Sequence, residues 1–118
     1  MIVLPGGQPG TNNLDGDARI KKLLKETAHK GKHVAAICAA PKVLANAGLL
    51  GGKKATAFPG TLEALTLAQT QLVDAPVVTD GLITTSRGPG TAMDFALSLL
   101  EILAGKETRD KVAAGLHR

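Results

Sequence analysis

Short unbroken apolar runs alternate along the chain with longer stretches in which apolar residues recur at a helical period. Met1-Ile2-Val3-Leu4 is the first run, and Pro5-Gly6-Gly7 ends it, which predicts a buried strand breaking into a glycine loop. From Asp15 to His29 the positions Ala18, Ile20, Leu23, Leu24, Thr27 and Ala28 approximate helical spacing, with Asp15 or Asp17 able to cap the start and Gly31 to stop the end. Val34 to Ile37 is a second strand. Pro41, acceptable in a first helical turn, opens a short helix that runs to Gly48. Ala55 to Phe58 is predicted as a third strand before Pro59-Gly60, and 61–73 (TLEALTLAQTQLV) is helical in composition. Val77 to Thr85 places β-branched residues on both sides of Asp80-Gly81, a hairpin signal. Ala92, Phe95, Ala96, Leu99, Leu100 and Leu103 form a helical stripe closed by Gly105, and 107–116 supplies a further helix.

Strands alternating with helices predict one α/β domain over residues 1–118, its sheet mostly parallel and covered by helices on both faces. In such sheets ligands bind beyond the carboxyl ends of the strands. Three distinctive segments are strand ends of this kind: Gly6-Gly7, Cys38-Ala39-Ala40 and Ser86-Arg87-Gly88.

Cys38 is the chain's single cysteine, at the junction of a strand and a helix. A helix N-terminus favours an anion, and a thiolate is one. A free cysteine is equally a small buried hydrophobe, so position alone leaves the two readings level. Gly6-Gly7 permits a close approach of backbone to ligand, and a loop N–H there can join that of Ala39 as an oxyanion-type donor pair; the plainer alternative is a tight turn. Arg87 is either a cation for a carboxylate, an oxidised cysteine or an anionic substrate, or an arginine that orders its loop or a neighbouring subunit. His29, His33 and His117 stand away from the elbow, and no ligand cluster suggests a metal, so neither metal nor cofactor is expected.

Composition narrows the partners. The net charge is +4, but the basic residues are interspersed with acidic ones, and with no Trp, no Tyr and two Phe there is almost no platform for stacking bases. Nucleic-acid binding is therefore not expected. No apolar run approaches the length of a membrane span, no basic leader precedes the first strand, and a lone cysteine suits a reducing compartment, so a cytoplasmic location is expected.

VLPGG (3–7), AAICAAP (35–41) and TSRGPGTAMDFAL (85–97), in that order and spacing, resemble the ThiJ/PfpI family, in particular its branch of Parkinsonism-associated deglycase-like proteins. The resemblance implies a flavodoxin-like three-layer sandwich that forms a homodimer. It makes Cys38 the reactive, oxidisable nucleophile, lines an oxyanion pocket with Gly6, Gly7 and Ala39, and sets Arg87 near it or at the subunit interface. It also implies cofactor-free glyoxalase or deglycase chemistry on 2-oxoaldehydes or their protein adducts, with redox sensing and chaperoning as further roles. Two departures stand out. Phe58 occupies a position where many members carry a histidine, and the family's N-terminal strands, with a glutamate that hydrogen-bonds the cysteine, have no counterpart here. The expectation is an incomplete sheet that needs a complementing N-terminal chain or a second copy, with an inactive remnant as the alternative.

Overall fold

A computed structural model describes the whole chain, Met1–Arg118. Its elements are β1 (Ile2–Leu4), α1 (Gly10–Asp15), α2 (Ala18–His29), β2 (Val34–Ile37), α3 (Pro41–Asn46), β3 (Lys54–Ala55), β4 (Gln71–Leu72), β5 (Val77–Asp80), β6 (Ile83–Ser86), α4 (Ala92–Ala104) and α5 (Lys106–Leu116). The main sheet has the order β1-β2-β6-β5. The first three strands run parallel, with Leu4 beside Ala36 and Ile37 beside Ser86, and β5 joins antiparallel through the predicted hairpin. β3 and β4 form a separate parallel pair.

The period-2 alternation of a strand divides the sheet residues between two cores. Leu4, Val34, Ala36 and Ile83 face one side, where Leu24 of α2 and Val43 and Leu44 of α3 cover them. Ala35 faces the other side against Phe95 and Leu99 of α4, with Ile37, Val77 and Ile102 at the margin. Helices therefore lie on both faces of a mostly parallel sheet, as the pattern implied, in the flavodoxin-like sandwich that the family resemblance implied. The second core is thin, and α5 buries no residue of its own. No helix is long and apolar enough to cross a membrane.

Local chemistry places the helix starts. Asp17, rather than Asp15, caps α2: its carboxylate accepts from the Arg19 main-chain N–H at 2.9 Å and pairs with the Arg19 guanidinium at 2.7 Å. Those bonds, the guanidinium's foremost, lower the Asp17 pKa from 3.8 to about 2. Asp15 ends the unpredicted helix α1 instead and accepts twice from Asn46 of α3.

Two expectations fail between α3 and β5. The strand expected over Ala55 to Phe58 is the two-residue β3, and the helix expected over 61–73 is a run of turns leading into β4. A single helical turn does form, closed by Ala64 N–H on Gly60 O. It goes no further because tertiary bonds take over the end of the segment and lead it into β4: Thr70 Oγ1 donates to Leu50 O at 2.8 Å, and Gln71 N–H to Lys53 O at 3.0 Å. Leu62 is buried in the main core, Leu65 and Leu67 pack against it partly buried, and Leu72 stays exposed, so the segment leaves the core towards its end. Here tertiary contacts override helix propensity.

Candidate functional site

Because β1, β2 and β6 are parallel neighbours, the residues that follow them leave the sheet along one edge. β2 ends at Ile37 and α3 begins at Pro41, whose missing N–H is no loss at a first helical position. Cys38 absorbs the change of direction with φ 64, in the left-handed region. For a residue with a Cβ that conformation costs about 1–2 kcal/mol. Hydrogen bonds on both sides hold it there: the Cys38 N–H donates to Ser86 O at 3.0 Å, extending the β2–β6 ladder, and the Cys38 carbonyl accepts from Phe58 N–H at 2.8 Å.

Gly6 packs directly on this elbow. A Cβ at Gly6 would stand 2.7 Å from Cys38 Cβ, 2.9 Å from Ile37 O and 3.3 Å from Ala39 N, so only a glycine fits. Gly7 has φ +86, and its carbonyl accepts from Thr11 N–H at 2.9 Å, which turns the loop into α1. The main-chain N–H groups of Gly6, Gly7 and Ala39 donate to no acceptor in the protein. Gly6 thus touches both Cys38 and the Ala39 amide, and the half-buried thiol is flanked by loops with unspent donors. Such a setting can stabilise a thiolate, an alkoxide formed on it, or an oxidised sulfur.

Arg87 follows Ser86, but its guanidinium is taken up by Asp74, Nη1 to Oδ1 at 3.0 Å. It borders two open clefts. One, of about 380 Å³, has apolar walls including Leu62 and Leu72, with Glu63 and Asp74 among its polar groups. The other, of about 290 Å³, is formed by Phe58, Pro59 and the 87–91 loop. Cys38 lines neither of them. The three strand ends therefore separate into a tight group of Gly6, Gly7, Cys38 and Ala39, and Arg87 to one side. Phe58 bridges them: its amide bonds Cys38, and its half-exposed ring lies against Gly88. That role was invisible in the sequence, since every residue but proline has an amide to give. No three His, Cys, Asp or Glu side chains are grouped so as to hold a metal ion.

A parallel sandwich with a strained cysteine elbow set against a double-glycine loop defines a class, the flavodoxin-like cysteine proteins. More particularly, the chain belongs to the DJ-1/PfpI family, whose model matches residues 1–102. It is 45% identical to Protein dj-1beta of Drosophila melanogaster over 98% of this chain and 62% of that protein. Against the Parkinson disease protein 7 homolog of Danio rerio it is 37% identical, again over 98% of this chain and 62% of the relative. The crystal structure of Drosophila DJ-1beta superposes with a TM-score of 0.90, covering 97% of this chain and 61% of that one. Schizosaccharomyces pombe DJ-1, 33% identical, gives 0.86 over 98% and 61%. The chain thus spans about three fifths of the length of these relatives.

Proposed function

We propose that this chain carries the nucleophilic part of a cofactor-free, cysteine-dependent stress enzyme acting on 2-oxoaldehydes or their protein adducts. The observation that carries the reading is the strained, doubly hydrogen-bonded Cys38 beside the unspent N–H groups of Gly6, Gly7 and Ala39. In this mechanism the Cys38 thiolate attacks the aldehyde carbon of methylglyoxal, and the carbonyl π pair becomes an alkoxide that those N–H groups stabilise. The alkoxide takes a proton to give a hemithioacetal. A base moves the proton from the former aldehyde carbon to its neighbour through an enediol, which leaves a thioester of the 2-hydroxy acid. Water then hydrolyses the thioester, releasing lactate and restoring the thiolate. The whole conversion adds one water and needs no external oxidant. The family resemblance assigns the base to a glutamate in the N-terminal part of its members, so we further propose that the working unit is a homodimer or includes a complementing N-terminal chain. A lone thiol fits a cytoplasmic setting.

Lactate formation from methylglyoxal, followed by NMR, tests the reading. Activity should vanish in Cys38→Ala, and turnover that survives this substitution refutes the thiol mechanism. A second reading, a redox sensor or protective chaperone that responds through oxidation of Cys38, is favoured by the half-buried thiol and by a relative whose structure is described as "Toxoplasma gondii DJ-1, oxidized". Peroxide treatment followed by intact-mass measurement separates the two: a rapid gain of two oxygens at Cys38, without lactate formation, favours sensing.

A further inference from the structure

Cys38 stays in its left-handed conformation through main-chain partners, and one of those partners must itself be held. Phe58 lies in the irregular stretch after β3, where no sheet ladder fixes its amide. Two residues earlier, Thr56 N–H donates to Thr85 Oγ1 at 2.9 Å, a buried bond across 29 positions of sequence. Thr85 is fully buried and Thr56 nearly so. Thr85 belongs to β6, opposite Ala36 in the register, so it is fixed between two strands. A rigid strand hydroxyl therefore anchors Thr56, Thr56 sets the path of the next two residues, and Phe58 reaches the Cys38 carbonyl at 2.8 Å. The neighbouring residue, Ser86, supplies the other partner. Its carbonyl accepts the Cys38 N–H, while its hydroxyl donates to Pro76 O and is hydrogen-bonded to the Thr91 hydroxyl, both at 2.7 Å.

We propose that the Thr85 hydroxyl is a positioning residue for Cys38, acting through Thr56 and Phe58 to hold the nucleophile in its strained conformation. Without the acceptor, the buried Thr56 N–H loses its partner, and the segment must shift to find water or another carbonyl. The Phe58 bond then weakens, and Cys38 can relax toward the broad β or right-handed region, carrying its sulfur away from the Gly6 notch. In the proposed enzyme this residue would set how well the thiolate meets its substrate. The inference rests on that reading for its catalytic meaning only, since the position of the thiol can be measured without turnover.

The test is the rate of Cys38 alkylation by iodoacetamide at neutral pH, in the folded chain and three variants. Thr85→Val, close in shape but lacking the acceptor, should slow alkylation roughly five- to tenfold, the scale on which one buried hydrogen bond biases a conformational equilibrium. Thr85→Ser, which keeps the oxygen, should restore the rate. Thr27→Val is the control. It removes another buried threonine hydroxyl, one bonded to Leu23 O within α2, and should leave the rate unchanged whatever it does to the melting temperature. A Thr85→Val protein that alkylates like the original chain overturns the proposal, as does an equal slowing in Thr27→Val or a failure of Thr85→Ser to rescue. If Thr85→Val does not fold, amide hydrogen exchange of the unaltered chain decides. The Thr56 and Phe58 amides should be protected to a similar degree and open together, and free exchange at Phe58 beside a protected Thr56 breaks the relay. Were methylglyoxal turnover absent while the alkylation pattern held, the enzyme reading would fail and the positioning role would stand.

Discussion

Replacing Gly6 by alanine separates a structural glycine from a permissive one. Gly6 does not require a positive φ, so alanine can adopt its backbone conformation, and the loss of flexibility in the unfolded chain alone would stabilise the variant by about 0.4–1 kcal/mol. Sterics oppose this. The new methyl carbon would stand 2.7 Å from Cys38 Cβ and 2.9 Å from Ile37 O. Carbon atoms prefer about 3.5–4.0 Å, so either the loop or the elbow must move by close to an ångström. The elbow cannot yield cheaply, because Ile37 is paired with Ser86 and the Cys38 N–H and carbonyl are both engaged. Overpacking of this kind costs typically 1–3 kcal/mol, which leaves a net destabilisation of about 1–2 kcal/mol for Gly6→Ala. Urea denaturation should show a lower midpoint at an unchanged slope, and iodoacetamide should report an altered Cys38 reactivity in the same protein. A variant with the original stability and thiol rate would mean that the loop is not seated on the elbow, and the site geometry would be wrong.

Gly7→Ala makes the contrasting case: it has open space but φ +86, so it should lose about 1 kcal/mol through backbone strain, read from the same urea curves, while changing the alkylation rate less than Gly6→Ala does. Cys38→Gly and Cys38→Ala both abolish alkylation, but glycine relieves the left-handed strain, so the glycine variant should be the more stable by about 1 kcal/mol in thermal denaturation. Leu24→Ala removes a fully buried side chain of the main core and should cost about 2–5 kcal/mol by urea denaturation. Acid should act on α2 through Asp17: its carboxyl is held at about 2 in the folded chain against an ordinary 3.8, so the stabilisation is complete above the ordinary value and is lost as the pH falls from there through about 2. Far-UV circular dichroism of Asp17→Ala, compared with the unaltered chain across that window, should show a smaller acid-induced change.

The sequence revealed the parts of the fold in which local pattern and tertiary role agree. β1 and β2 are unbroken apolar runs, the hairpin turns at Asp80-Gly81, and α4 carries a helical stripe that matches the face it buries, so local signals alone placed them. α1 escaped notice because GTNNLD has poor helix formers, and bonds from α3 support it, Lys42 to Asn12 at 3.0 Å and Asn46 to Asp15 at 2.9 Å. The 61–73 segment misled for the opposite reason. Its leucines and alanines favour a helix, but its end is bonded to the 50–55 stretch, Thr70 Oγ1 to Leu50 O and Gln71 N–H to Lys53 O, and pairs there as β4.

The candidate site divides along a similar line, according to whether a position needs a particular side chain or only a main chain. Gly6 and Gly7 were legible because a close approach and a positive φ are conditions that glycine meets best, and Cys38 because thiol chemistry has one source in this chain. Phe58 was read from its absent histidine, whereas its contribution is an N–H that almost any residue could supply. Arg87 was read as a cation looking for an anion, and Asp74, whose side chain is 92% exposed, already provides one. An exposed pair of this kind holds its partners by about 0–1 kcal/mol, so it sets where Arg87 rests without committing it there. The elbow is different in kind. Its strain is matched by bonds from Ser86 and Phe58, which buried hydroxyls at Ser86 and Thr85 help to hold in place. Mutations that change the thiol's reactivity without touching it should therefore concentrate on β6 and the loop it anchors, rather than on the charged residues around the clefts.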